Sequence, residues 1–205
     1  ILFNSLNMKK IFFIRHGKAA MEGVDRERVL DADGIIQATS LCKKIKDQIE
    51  GQKVRIISSP FKRAMQTIEK LSLDFSANIE KSDALEEINI GKDENLSKHQ
   101  IIENMWSDKN FKVSNGSSQI EHVNKIKSEL NKILKDFYEN DYNLILVSHG
   151  NSIGIFLKYF LNQKFTFEDW KNISMPDMYS VSFDESNKVT QFKRDVEGIE
   201  KIFKI

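Results

Sequence analysis

A three-layer α/β/α sandwich, one domain with a mostly parallel sheet and an antiparallel edge strand, is the fold class this sequence predicts. Three observations carry that reading. Short runs that are apolar on every residue alternate with longer stretches of helical periodicity along the first 160 residues. The runs do not alternate polar with apolar, as strands buried on both faces require. Only the tail alternates with period two, the pattern of an antiparallel ribbon.

In chain order, "KIFFIRH" is a buried strand stopped at Gly17. "DADGIIQATSLCKKIKDQIE" is a helix that Asp31 or Asp33 can cap, with Ile36, Leu41, Ile45 and Ile49 at near-helical spacing. "VRIISSP" is a second strand ended by Pro60, and "FKRAMQTIEKLS" is a helix leaving that turn. "ANIEKSDAL" reads as a third strand running into "EEINIG". Residues 92–120 are polar and irregular, with a short helix around "LSKHQIIENMW". "IEHVNKIKSELNKILKDFYEN" is a long amphipathic helix with Ile120, Val123, Ile126, Leu130, Ile133, Leu134 and Phe137 inward. "YNLILVSHG" is the most apolar strand, "NSIGIFLKYFLN" a well-buried helix, and "MYSVSFDES" with "KVTQFKRD" a hairpin turning at residues 185–187.

Composition excludes several classes of function. Thirty-one Lys and Arg against 30 Asp and Glu leave a net charge of +1, so no global field draws nucleic acid. No apolar run reaches the ~20 residues of a membrane span. The single cysteine, Cys42, forbids an intramolecular disulfide and sits on an apolar helix face, as a core residue of a protein in a reducing compartment; the expected location is the cytoplasm. Residues 1–7, which precede Met8, are read as an extension or cloning remnant, and residues 8–205 as the single domain with a cap-like insertion at about 88–119. His99 and His122 are expected to be exposed, and Trp106 and Trp170 to be core or pocket lining. No zinc, calcium or Walker-type nucleotide motif is present, so neither a metal nor another cofactor is expected. Oligomeric state is left open.

Chemistry gathers at four predicted strand exits, "RHG", "SSPFKR", "LEEINIG" and "SHGNS". In a parallel sheet the carboxyl ends of the strands share one rim, where ligands bind. That brings together Arg15, His16, Arg63, Glu86 or Glu87, and His149. Arginine forks match phosphate oxygens. A neutral imidazole is a nucleophile near pH 7. A carboxyl group can protonate a leaving alcohol and later take a proton from water. Gly17 and Gly150 follow the two histidines, let a backbone approach a ligand, and lie near helix starts that favour anions. The reaction implied is phosphoryl transfer by double displacement, without metal.

In their order, "FFIRHGKA", "LDADGIIQA", "IISSPFKRAMQTIE", "LEEINIG" and "ILVSHGNSI" resemble the histidine phosphatase superfamily, in its phosphoglycerate mutase-like branch, from Ile11 to about Phe183. The resemblance implies that His16 is the nucleophile and forms a phosphohistidine, and that Arg15, Arg63 and His149 make the phosphate pocket. Gly17, Lys18, Gly150 and Asn151 fall beside it as phosphate- or substrate-binding positions. The Leu-x-Glu-x-x-x-Gly pattern falls on Leu85, Glu87 and Gly91, so Glu87 is the implied proton donor; Glu86, its neighbour, is expected to point away. Three departures speak against mutase activity: "KAAMEGV" replaces the usual Asn after R-H-G, "GKDEN" replaces Gly-x-Trp-Glu-Gly, and "NGSSQ" puts Ser117 where an acid is usual. The expected function is hydrolysis of a small phosphorylated metabolite. Its alternatives are a phosphoglycerate-type mutase, a phosphohistidine-protein phosphatase (whose members open with a similar R-H-G-K-A), a non-catalytic phosphate-binding module, and a metallohydrolase built on both histidines.

Overall fold

The computed structural model describes residues 8–160, 164–196 and 199–203; the predicted extension at 1–7 lies outside them. Among the described residues seven strands form one sheet in the order β3-β2-β4-β1-β5-β6-β7. Four are parallel: β1 (Lys10–Arg15), β2 (Val54–Ser58), β3 (Ile79–Lys81) and β4 (Asn143–Ser148). Strands β5 (Asp177–Phe183), β6 (Val189–Val196) and β7 (Ile199–Phe203) extend it antiparallel from β1. The antiparallel portion is thus three strands deep, where the tail predicted an edge hairpin. The turn itself falls where the sequence puts it, with Asp184 Oδ1 accepting from the amides of Ser186 and Lys188.

The period-two geometry of β1 explains the layers. Ile11 and Phe13 face one apolar cluster with Leu144, Leu146, Ile153 and Leu157. Phe12 and Ile14 face the opposite cluster with Leu41, Cys42, Ile45, Ile145 and Val147. Helices α1 (Ala32–Ile49) and α2 (Lys62–Phe75) therefore cover one side. After α3 (Lys98–Ser107), α4 (Gln119–Glu139) and α5 (Gly150–Phe160) cover the other. A short α6 (Phe167–Lys171), not foreseen in the sequence, packs beside α5.

This arrangement creates a crevice. Strands β1 and β4 are neighbours, yet the helices that follow them, α1 and α5, lie on opposite faces of the sheet. The chain parts at their carboxyl ends, which is where an open α/β sheet leaves room for a ligand. His16 and His149 are the next residues of those two strands.

Three expectations need correction, and one open choice is decided. Ile36 is 70 % exposed, because the buried stripe of α1 runs through Gly34, Ala38, Leu41, Cys42, Ile45 and Ile49 and leaves Ile36 on the outer side. Asp31, not Asp33, caps that helix by accepting from the Gly34 amide. The third strand is only three residues long and gives way to a 3-10 turn at Asp83–Leu85. His122 is buried, occupying the inner stripe of α4 one turn before Ile126. Residues 88–113 form a satellite cluster in which Ile88, Ile101, Met105 and Val113 pack with Ile155. His99 is exposed, as expected, and Trp106 and Trp170 pack against the main core.

The buried His122 has a measurable consequence. Burial, with Lys125 nearby, lowers its pKa from 6.5 to about 4, and its Nε2 finds no partner among the described residues. Above the unfolded value of 6.5 neither state holds this proton, so the group contributes no pH dependence. As pH falls from there toward about 4, the unfolded chain binds a proton that the folded chain refuses. Stability should fall by about 1.4 kcal/mol per pH unit across that window. Urea unfolding of His122→Gln at several pH values is expected to give a shallower acid limb than wild type; parallel limbs would contradict this.

Candidate active site

At the end of β1, Arg15 keeps its side chain under cover. Its Nη1 donates to the carbonyls of Ile173 (2.9 Å) and Ser174 (3.2 Å), while its buried Nε has no protein partner among the described residues. A side chain at Gly150 would sit 3.0 Å from the Arg15 Cζ, so glycine there lets the flat guanidinium lie against the start of α5. The edge bearing Nε and Nη2 is thus left for two oxygens of an anion.

His16 is 7 % exposed. Its Nε2 accepts from Arg63 Nε (3.0 Å), so Nδ1 carries the proton and donates to the Gly17 carbonyl (2.7 Å). Burial, followed by the charges of Arg63 and Arg15, lowers its pKa to about 3. The ring is therefore neutral at pH 7, with a lone pair facing the crevice residue Arg63. The His149 ring lies 5.0 Å away, edge on. Its Nδ1 accepts from Arg63 Nη2 (3.3 Å), which leaves Nε2–H to donate to Ser59 Oγ (2.8 Å). Burial, then the charges around it, hold His149 well below the usual histidine range as well.

Arg63, on the first turn of α2, is the hub of this group. Besides both imidazoles it donates to the Asp25 carbonyl (2.5 Å) and pairs with the Asp25 carboxylate (3.4 Å). Asp25 also pairs with Arg28; burial raises its pKa, but Arg28 and Arg63 outweigh that and hold the carboxyl below its ordinary range.

Glu87 follows the 3-10 turn at Asp83–Leu85 and reaches the start of α5. Its carboxylate accepts from the Ser152 amide (2.9 Å), Ser152 Oγ (3.0 Å), the Asn151 amide (3.3 Å) and Asn151 Nδ2 (3.2 Å). The free amides of that helix start are thereby matched to a negative charge. Arg15, His16, Arg63, Glu87 and Gly150 line one cleft of about 1050 Å³, large enough for a phosphate and a substantial leaving group.

Several predicted binding residues are spent elsewhere. Lys18 reaches the cleft, but its amine pairs with Asp31 (3.1 Å) and Asp33 (2.6 Å). The Gly17 amide donates to Thr67 Oγ1 (3.0 Å) and so is not free for an anion; glycine is required because a Cβ would meet the Gly34 carbonyl, in the first turn of α1, at 2.9 Å. Asn151 serves Glu87. Glu86 does not turn away: it lines the cleft and pairs with Arg26 across it, because the backbone here is irregular and the strand's alternation does not apply.

Residues that the sequence did not single out complete the site. Thr67 ties the loop after β1 to α2, donating to the Arg63 carbonyl while accepting from Gly17. Ser152 holds Glu87, and Ser59 holds His149. Asp25, Arg26 and Arg28 come from a charged stretch, "DRER", that the fold brings over Arg63. Among the described residues no three His, Cys, Asp or Glu side chains cluster as they do around a metal, and no helix is long and apolar enough to cross a membrane.

Two buried neutral imidazoles share one arginine beside a second arginine fork and a carboxylate; together with the comparisons that follow, this makes the chain a phosphoric monoester hydrolase. The family is equally plain: a model of the histidine phosphatase superfamily (branch 1) matches residues 11–195, and the chain belongs to that superfamily. Solved structures share the fold. A mycobacterial glucosyl-3-phosphoglycerate phosphatase in complex with inorganic phosphate is 18 % identical, with a TM-score of 0.67 over 92 % of this chain and 96 % of its own. A phosphoserine phosphatase mutant from Entamoeba histolytica, in complex with phosphoserine, is 23 % identical, with a TM-score of 0.68 over 90 % of this chain and 96 % of its own. A putative phosphohistidine phosphatase from Agrobacterium tumefaciens is 15 % identical, with a TM-score of 0.53 over 90 % and 96 %. No curated protein matches the chain.

Proposed function

We propose that this protein hydrolyses a small phosphorylated metabolite through a phosphohistidine formed on His16, without metal. The observation that carries the reading is the His16 imidazole: neutral, buried, with Nε2 3.0 Å from the Arg63 guanidinium and its ring 5.0 Å from His149. An incoming phosphate monoester exchanges its oxygens for the contacts Arg63 now makes to the histidines and Asp25, and its remaining oxygens meet the free edge of Arg15. The Nε2 lone pair attacks phosphorus as the bond to the substrate oxygen breaks, and Glu87, which enters this step in its acid form, gives that oxygen a proton. Water then attacks the phosphohistidine, Glu87 takes its proton, and His16 and inorganic phosphate are released. His149 and the two arginines balance charge on the transferring oxygens.

Metal independence has a physical basis in the donor set. Both imidazoles accept hydrogen bonds from a permanently charged guanidinium, which is the wrong neighbour for a second cation. A small substrate is favoured by residues 88–119, read as a cap whose Ile88, Ile90, Leu96 and Ile101 wall the cleft. Two of the structural neighbours are named for small substrates, phosphoserine and glucosyl-3-phosphoglycerate. The lower TM-score of the phosphohistidine phosphatase makes a protein substrate the weaker reading. A reducing compartment, the cytoplasm, suits the single buried thiol of Cys42. Turnover of a panel of phosphorylated metabolites, with a phosphohistidine protein alongside and EDTA throughout, tests the reading. Release of phosphate from at least one metabolite far faster than from the protein is expected; hydrolysis of the protein alone, or loss of all activity in EDTA, would contradict it.

A further inference from the structure

Arg15 is aimed from behind by a loop that another arginine builds. The two carbonyls that hold Arg15 Nη1, those of Ile173 and Ser174, belong to the segment between α6 and β5. Arg194, on β6, is 6 % exposed and grips both ends of that segment. Its Nη2 donates to the Asn172 carbonyl (2.6 Å) and to Asp177 Oδ2 (2.5 Å), and its Nε donates to both Asp177 oxygens (3.0 Å each). Asp177, fully buried and paired with Arg15 in the β1–β5 ladder, accepts from the Ser174 amide (2.7 Å). Ser174 Oγ closes the loop, donating to the Pro176 carbonyl (2.7 Å) and accepting from Arg194 Nη2 (3.4 Å). The segment has no regular secondary structure; these bonds hold its carbonyls, together with the Ile173 amide on the Trp170 carbonyl (3.0 Å) and the Ile173 side chain in the core. A buried ion pair costs desolvation that an apolar pair would not, and here the hydrogen bonds to the loop offset that cost.

We infer that Arg194 is a positioning residue for phosphate binding: through Asp177 and the loop carbonyls of Ile173 and Ser174 it fixes the orientation in which Arg15 offers its Nε and Nη2 edge to the anion. The inference rests on the phosphate-site reading above and adds to it a residue that touches no substrate. Lysine at 194 keeps the charge but has one donor nitrogen in place of the fork, so it cannot hold Asn172 and both Asp177 oxygens together. Arg15 is then free to rotate, and the anion loses part of a bidentate contact.

Calorimetric titration of inorganic phosphate into the full chain tests this with a double-mutant cycle. Arg194→Lys should weaken phosphate about tenfold when Arg15 is present. In an Arg15→Ala background, where there is no fork left to aim, the same change should alter affinity less than about twofold. Ser174→Ala leaves the Arg194–Asp177 pair whole and serves if Arg194→Lys does not fold; a smaller loss of about threefold, again abolished by Arg15→Ala, is expected. Unchanged affinity in both variants, or an equal loss whether or not Arg15 is present, would overturn the inference and leave the phosphate site standing. A wild-type protein that binds no phosphate would overturn both.

Discussion

His16→Ala is expected to lower kcat/KM by ~10⁴-fold or more, because removing a covalent nucleophile deletes the route and leaves only the binding groups. The loss should be chemical, not structural. Inorganic phosphate should still bind, since the Arg15 edge and the donors of Arg63 survive, the latter with one acceptor fewer. His16 is a buried side chain with a ring contact to His149, so a modest fall in thermal stability is expected alongside. Steady-state kinetics and phosphate titration on the same sample separate the two effects. A variant that keeps more than a tenth of wild-type kcat/KM would mean that phosphorus is attacked by something else.

Glu87→Gln has the second-largest expected effect, and it should depend on the leaving group. General acid assistance is worth about 10²–10⁴-fold where the departing alkoxide is strongly basic. Alkyl phosphates should slow by that factor, whereas an activated aryl phosphate such as p-nitrophenyl phosphate, whose phenolate departs unaided, should slow less than about tenfold. Glutamine also disturbs the scaffold. The carboxylate accepts from the amides and side chains of Asn151 and Ser152, and an amide offers one acceptor oxygen in place of two. The two donors on the replaced oxygen lose that acceptor, at a cost of about 1–3 kcal/mol each. A uniform slowing of both substrate types would assign Glu87 to that scaffold and remove it from proton transfer.

Much of this site is legible in the sequence because each part is a strand exit. Arg15–His16–Gly17 and His149–Gly150 end the two most apolar runs of the chain, which marks both as central strands; that β1 and β4 are adjacent is seen only in the sheet. Arg63 is carried in by the turn at Pro60 and the helix after it. The errors have physical causes. Glu86 is misread because period-two alternation was carried past the end of β3 into a 3-10 turn. His122 is misread because it fills an inner-stripe position of α4 with a polar ring, an arrangement that hydropathy alone cannot register. Lys18 looks like a ligand for anions, yet two aspartates fifteen or fewer residues ahead in the sequence fold back onto it. Arg194 and Asp177 lie in different strands, and only the register of β5 with β6 and β1 makes them one unit beneath Arg15.

The central claim is that phosphorus passes through the imidazole at position 16. Rapid-quench labelling with a ³²P-phosphorylated substrate, followed by peptide mapping, tests it most directly. The account predicts an acid-labile, alkali-stable phosphoryl adduct on the peptide containing His16, formed and lost at rates compatible with turnover and absent from His16→Ala. Full turnover with no such adduct at any quench time, together with transfer of ¹⁸O from water to phosphorus with inversion of configuration, would contradict it.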